Sequence, residues 1–199
     1  MAAQVAGILL AAGAGSRIGR PKALIDVGGE PLAARGVALL RAGGAAPVIM
    51  VTGATAVTLP GVITVHNPAW RTGMGSSLAA GLATVPGQCS AAVVALVDQP
   101  LVGPAAVARL IAAHQRGAGV AVAAYAGQPR NPVLLAREHW PEVTALATGD
   151  QGARAFLRAR PELITLVECG DTGRPDDIDT GADLARITSL MRPGDPVSD

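Results

Sequence analysis

Aromatic side chains are nearly missing from this sequence: two tryptophans, one tyrosine and one phenylalanine among 199 residues. Half of the residues are apolar, so the core must be built from Ala, Val and Leu through many small contacts, in a chain long enough for one substantial domain. Cysteine is equally scarce. Cys89 and Cys169 are the only two; they lack the paired spacing of a metal site and any secretory context, and read as buried or incidental thiols. Neither sign of charge is in excess, because sixteen basic and fifteen acidic residues leave a net +1. No global field draws the chain to nucleic acid, and charge that matters must act locally. The apolar stretch from Val5 to Ala12 has no basic region ahead of it and is too short for a bilayer. It reads as a buried strand, with no membrane association and a cytoplasmic location expected. His66, His114 and His139 fall into no HExxH or other metal spacing, which argues against a zinc site and against histidine-based catalysis.

Continuous apolar runs are abundant, at Val5 to Leu10, Pro47 to Thr52, Val62 to Val65, Ala91 to Val97 and Val120 to Ala124. Runs without alternation are the mark of strands covered on both faces. Helical stretches at Pro31 to Ala42, Ser76 to Thr84 and Pro104 to Arg116 lie between most of them, which implies a single α/β domain with a mostly parallel central sheet and helices on both faces. The segment from Gly53 to Gly61, with Pro60 near its end, is short for a crossover between parallel strands, so an irregular connection is expected there. Beyond Tyr125 the alternation degrades: Gly127 to Leu135 reads as a turn and strand, Arg137 to Ala147 and Gln151 to Arg160 as helical, and Leu163 to Val167 as a further strand. Residues 1–190 are expected to form the domain, and the Pro- and Gly-containing end, 191–199, to be a disordered tail.

The most informative segment follows the first strand: Leu10-Ala11-Ala12-Gly13-Ala14-Gly15-Ser16-Arg17-Ile18-Gly19-Arg20-Pro21-Lys22. A turn of small residues leaves backbone N–H groups pointing into one concavity, and cations follow directly, so a polyphosphate is the natural guest. It is not a P-loop, since Lys22 follows Pro21 and precedes Ala23, leaving no hydroxyl for magnesium. It fits the dinucleotide fingerprint poorly, because Gly13, Gly15 and Gly19 are spaced one residue too wide and Pro21 interrupts the helix that should follow. Asp98 closes the run Ala91 to Val97 and precedes Gln99-Pro100-Leu101. A carboxylate at the exit of a parallel strand projects into the ligand crevice, where a hard oxygen suits magnesium beside a triphosphate. In the block Asn67-Pro68-Ala69-Trp70-Arg71-Thr72-Gly73-Met74-Gly75-Ser76-Ser77-Leu78, the glycines bracket a turn. Ser76 or Ser77 is placed to cap the helix that follows, with N–H groups left for an anion or a base edge. Asp179 is a second candidate metal ligand, although Thr180 and its acidic neighbours equally suit a helix start.

Together these segments, with Gly149-Asp150-Gln151-Gly152-Ala153-Arg154 and Asp177-Ile178-Asp179-Thr180, resemble the molybdenum cofactor cytidylyltransferase family, in that family's order and over nearly the whole chain. The resemblance implies a Rossmann-like nucleotidyltransferase fold, a Mg2+ cofactor, and transfer of CMP from CTP to the phosphate of molybdopterin, with a molybdenum hydroxylase as a downstream partner. It implies a nucleotide site formed by Leu10, Ala11, Ala12, Gly13, Ala14, Gly15, Arg17, Lys22, Thr52, Gly53, Asn67, Gly75, Ser76 and Ser77. Arg17, Lys22 and Asp98 would be catalytic, Asp98 and Asp179 would bind the metal, and Gln99, Arg130, Asn131, Asp150 and Arg154 would meet the acceptor. Three departures stand out: Ile18 replaces a usual methionine, a helix is missing from Gly53 to Gly61, and Arg130-Asn131 replaces Gly-His before Pro132. GTP or another phosphorylated acceptor, a non-catalytic cofactor carrier and an NAD-binding oxidoreductase remain as alternatives.

Overall fold

The computed structural model describes residues 4–191; the tail expected at 191–199 lies, from residue 192, outside the described residues. A seven-stranded sheet organises the chain. Strand β1 (Gln4–Leu10) leads into the glycine loop, a short hairpin of β2 (Asp26–Val27) and β3 (Glu30–Pro31), and helix α1 (Leu32–Ala42). Next come β4 (Val48–Thr52), β5 (Ile63–His66), α2 (Met74–Thr84), β6 (Cys89–Leu96) and α3 (Pro104–Gln115). The remainder is β7 (Val120–Tyr125), β8 (Gln128–Ala136), α4 (Trp140–Leu146), α5 (Arg154–Ala159), β9 (Ile164–Glu168) and α6 (Gly181–Leu190). No helix among the described residues is long and apolar enough to cross a membrane.

The sheet order is β5-β4-β1-β6-β8-β7-β9. Strands β5, β4, β1 and β6 are mutually parallel, and β8 runs antiparallel to both β6 and β7. The hairpin turn between β7 and β8 is Ala126-Gly127, with φ of 52° and 73°; two central residues at positive φ give the tight turn whose twist matches the flanking strands. β9 returns parallel to β7. Because successive side chains point to opposite faces, the continuous apolar strands feed two cores. Val5 and Leu9 pack with Leu40 of α1, Leu110 of α3 and Ile187 of α6. Ala6, Ile8 and Leu10 pack with Leu78 and Leu82 of α2, Trp140 of α4 and Phe156 of α5. Helices therefore cover both faces, as the strand and helix alternation implies.

Two expectations need correction. β5 is an edge strand whose residues are mostly exposed, so its apolar run reflects β propensity and not burial on two faces. Ser76 and Ser77 do not cap α2: the helix begins at Met74 after Gly73, with no side-chain cap, which leaves both serines inside its first turn. The 53–62 connection holds neither helix nor strand, as expected from its length. α6, by contrast, starts on a capping box, in which the Thr180 hydroxyl accepts from Asp183 N–H and the Asp183 carboxylate accepts from Thr180 N–H. That box fixes the chain just past Asp179.

Candidate active site

The loop after β1 folds on itself through a turn in which Ile18 and Gly19 N–H both donate to the Gly15 carbonyl. Pro21 has the φ of −54° that opens a single 3-10 turn, Lys22–Leu24. This turn aims Lys22 back across the carboxyl ends of the strands. Its Nζ donates to Asp98 Oδ2 at 2.7 Å and to Asp179 Oδ1 at 2.7 Å. Asp98 stands at the exit of β6, and Ile178 N–H donates to the Asp98 backbone carbonyl, pinning the C-terminal segment against that exit. One ammonium thus joins three stretches of chain that are far apart in sequence. Burial alone would lower the Lys22 pKa, but the Asp98 and Asp179 carboxylates outweigh it and hold the ammonium above the ordinary lysine value. Asp98 Oδ1 is buried and has no hydrogen-bond partner. An unpartnered carboxylate oxygen at the cleft floor is left to accept from a donor or to meet a cation.

A cavity of about 560 Å3 opens over this junction. One side is the glycine loop from Ala12 to Ser16 with Leu10 and Lys22, and the other is Trp70, Arg71, Gly73, Met74 and Ser77, with Asp98 and Asp150 also on its wall. Arg17 sits just outside it, in a smaller hollow of about 200 Å3 shared with Gly15, Ser16, Lys22 and Asp179. Ala11, Thr52, Gly53, Asn67, Gly75 and Ser76 stand behind the wall and do not line it. Their interactions explain this. Asn67 is buried and donates from Nδ2 to Ser76 Oγ at 2.9 Å and Ser77 Oγ at 3.0 Å, tying the exit of β5 to α2. Thr52 is buried and donates to the Val65 carbonyl. Gly75 lies against the backbone of Ala147 and Thr148.

The residues expected to meet an acceptor divide between two places. Gln99, Arg130, Asn131 and Arg154 share a second cavity of about 540 Å3 with Arg158, Asp177 and the apolar side chains of Val122, Val133, Leu157 and Ile164. Asp150 is instead on the wall of the first cavity, because the 3-10 turn Gly149–Gln151 folds over the start of α2. The two cavities meet across Asp98-Gln99: Gln99 is buried, and its Nε2 donates to Asp177 Oδ1 at 2.7 Å. Sequence reasoning missed Trp70, Arg71 and Met74 as lining residues, and Arg158 and Asp177 beside the second cavity. Trp70-Arg71 did carry a signal, since a tryptophan in a loop is conspicuous in a chain with so few aromatics. Arg158 carried none, being an ordinary surface cation of α5.

A mostly parallel α/β sheet with a glycine loop, a lysine–aspartate junction and a cleft at the carboxyl ends of its strands is the arrangement in which open α/β domains hold their ligands. Residues 7–164 match the family described as the MobA-like NTP transferase domain, and the chain belongs to that family. The nicotine blue oxidoreductase of Paenarthrobacter nicotinovorans is 38% identical over 197 residues, spanning 92% of this chain and 96% of its own. Among solved structures, Rv0371c of Mycobacterium tuberculosis H37Rv is similar with a TM-score of 0.80 and 26% identity, over 95% of this chain and 100% of its own. A manganese complex of Rv0371c gives a TM-score of 0.76 at 26% identity over the same shares.

Proposed function

We propose that this protein is a cytoplasmic enzyme that transfers CMP from CTP to the phosphate of a molybdopterin-type acceptor, with residues 1–190 acting as one transferase unit. The observation that carries the reading is the Lys22–Asp98–Asp179 junction at the floor of the glycine-loop cleft, with one Asp98 oxygen buried and unpartnered. An acceptor phosphate oxygen attacks the α-phosphorus in line. A new P–O bond forms, the bond from the α-phosphorus to the bridging oxygen breaks, and its electron pair leaves on pyrophosphate. The nucleophile is already an anion, so no strong general base is required and catalysis comes from positioning and charge neutralisation. Lys22 and Arg17 flank the Gly15-Ser16 backbone and meet the charge that builds on the leaving group, while the loop at Ala12-Gly13, which lines the cleft, lies along base and ribose.

Asp98 and Asp179 are the residues that would hold a divalent cation, Mg2+ in this reading. The fit rests on hard carboxylate oxygens, of which Asp98 Oδ1 lacks a partner; the 26% identical Rv0371c has been solved as a manganese complex. Among the described residues no group of three His, Cys, Asp or Glu side chains is arranged to hold a metal, as suits an ion completed by phosphate oxygens and water. When bound, such an ion supplies Lewis-acid neutralisation of phosphate charge. On the acceptor side, the second cavity offers Arg130, Arg154 and Arg158 for a phosphate, and apolar walls at Val122, Val133, Leu157 and Ile164 for a ring system. A molybdenum hydroxylase would be the user of the product.

A second reading has one observation in its favour: the 38% identical relative is named an oxidoreductase. In that reading the same cleft takes a nicotinamide nucleotide, which passes a hydride to a flat substrate in the second cavity. Pyrophosphate release measured with Mg2+, molybdopterin and each of the four common NTPs in turn separates these readings, with NADH oxidation followed in parallel. CTP-dependent release, lost in Lys22→Ala and Asp98→Ala, is the expected result. Release with GTP alone would change the base, and cofactor binding without NTP consumption would identify a carrier. NADH oxidation without pyrophosphate release would overturn the transferase reading.

A further inference from the structure

Trp70 is one of two tryptophans in the chain, yet it belongs to neither hydrophobic cluster and stands half-buried on the wall of the first cavity. Its position is built. A Cβ placed on Gly53 would come within 2.6 Å of both Cβ and Cγ of Trp70 and 2.8 Å of the Ala12 carbonyl oxygen, so a bare backbone at Gly53 is what admits the indole beside the Ala12 end of the glycine loop. The neighbouring Arg71 is exposed, and its guanidinium carbon lies 4.4 Å from the Trp70 ring centroid. Two flat, delocalised groups are therefore stacked at the cleft wall by the loop entrance, next to the Ala12 backbone, while Lys22 and Asp98 form the polar floor.

We infer that the Trp70–Arg71 pair is the platform on which the heteroaromatic base of the bound nucleotide stacks. The inference rests on the nucleotide reading of this cleft given above. Every base presents a π face, so a stacking platform adds affinity without choosing among bases. Choice of base then falls to hydrogen bonds along Ala12-Gly13, and loss of Trp70 weakens all nucleotides alike. The recognised chemistry, a flat heteroaromatic ring carried on a phosphate chain, is common to a nucleoside triphosphate and a nicotinamide dinucleotide.

The chain provides its own reporter. Trp140 is buried, donates from Nε1 to the Leu135 carbonyl at 3.0 Å and is covered by Arg137, so Trp70 is the tryptophan that a ligand in the cleft reaches. The full chain is titrated, without acceptor, with CTP, GTP, NADH and inorganic tripolyphosphate, by calorimetry and by tryptophan emission. CTP or GTP should change the emission while tripolyphosphate leaves it unaltered. Trp70→Ala should weaken nucleotide binding about tenfold or more, with tripolyphosphate binding unchanged, and Trp70→Phe should restore most of the loss. Nucleotide affinity indifferent to Trp70→Ala, or wild-type affinity for tripolyphosphate equal to that for CTP, would overturn the platform and leave the nucleotide reading standing. Loss of tripolyphosphate binding in Trp70→Ala would mark Trp70 as structural and would also overturn it. Binding of NADH alone, dependent on Trp70, supports the platform and overturns the transferase reading; no binding of any of the four ligands overturns both.

Discussion

Replacing Lys22 by methionine keeps an unbranched side chain of similar length and removes the ammonium that bonds Asp98 and Asp179, each at 2.7 Å. Two carboxylates on one ammonium sit about 5 Å apart, and without it they repel by about 3 kcal/mol at an effective dielectric of about 20. Only 16% of the Lys22 side chain and 20% of Asp98 are exposed, against 47% of Asp179. Asp179 can therefore swing toward water, whereas Asp98 cannot. The net loss expected is about 2 kcal/mol, between that of a surface pair and that of a buried pair broken on one side. For a chain of this length it corresponds to a fall of about 4–8 °C in Tm. The sign of the pH dependence follows from the raised Lys22 pKa. The contribution is fully present below the unfolded lysine value of about 10.4 and is lost as pH rises through the folded one. Calorimetry of wild type and Lys22→Met should thus show a constant Tm gap at neutral pH that closes above about pH 10.5. Millimolar Mg2+ or Mn2+ should raise the Tm of Lys22→Met more than that of wild type, because in the variant the cation meets two carboxylates with no ammonium already between them. Equal Tm values at neutral pH, or a gap that persists undiminished into strong alkali, would refute the electrostatic account.

Gly75→Ala would place a Cβ 2.1 Å from the Ala147 carbonyl oxygen; backbone cannot yield as a side chain does, so a loss of about 3 kcal/mol is expected in urea unfolding, and an unmoved midpoint would disprove the close approach. The double change Arg130→Ala and Arg154→Ala should raise the acceptor KM about tenfold or more while leaving the CTP KM alone; steady-state kinetics with each substrate varied decide it, and equal effects on both KM values would count against a separate acceptor cavity. Glu168 accepts from Gly127, Gly170 and Ala126 N–H, and those bonds hold its carboxyl below the ordinary value. Its stabilisation is present above the unfolded carboxyl value and lost as pH falls through the folded one, so Glu168→Gln should lower Tm at neutral pH and flatten the acid limb of the Tm–pH curve; parallel curves would refute this.

Local rules carried far into the fold. Continuous apolar runs placed β1, β4, β6 and β7 within a residue or two, and the helical stretches between them placed α1, α2 and α3. They failed where burial and pairing are collective properties. Nothing in the run Val62 to Val65 says that β5 ends the sheet, and nothing in Gln128–Ala136 says that β8 inserts antiparallel between β6 and β7. The hairpin of β2 and β3 went unseen because two-residue strands have no period to detect.

The candidate site divides in the same way. Spacing within one segment located the glycine loop, Lys22, Asp98 and Asp179, because small residues, a proline stop and a strand-terminal carboxylate are written in consecutive positions. Their convergence was not written there, since one ammonium between carboxylates 76 and 157 residues away exists only once the sheet brings three loops to the same edge. Tertiary packing alone set Asn67, Thr52 and Gly75 behind the cavity wall, with Asn67 and Thr52 bonded to neighbouring elements. It moved Asp150 from among the expected acceptor residues to the wall of the first cavity and gathered Arg158 with Arg130 and Arg154. Residue types and their spacing set what chemistry is on offer; the long-range contacts decided which of those groups face a common space.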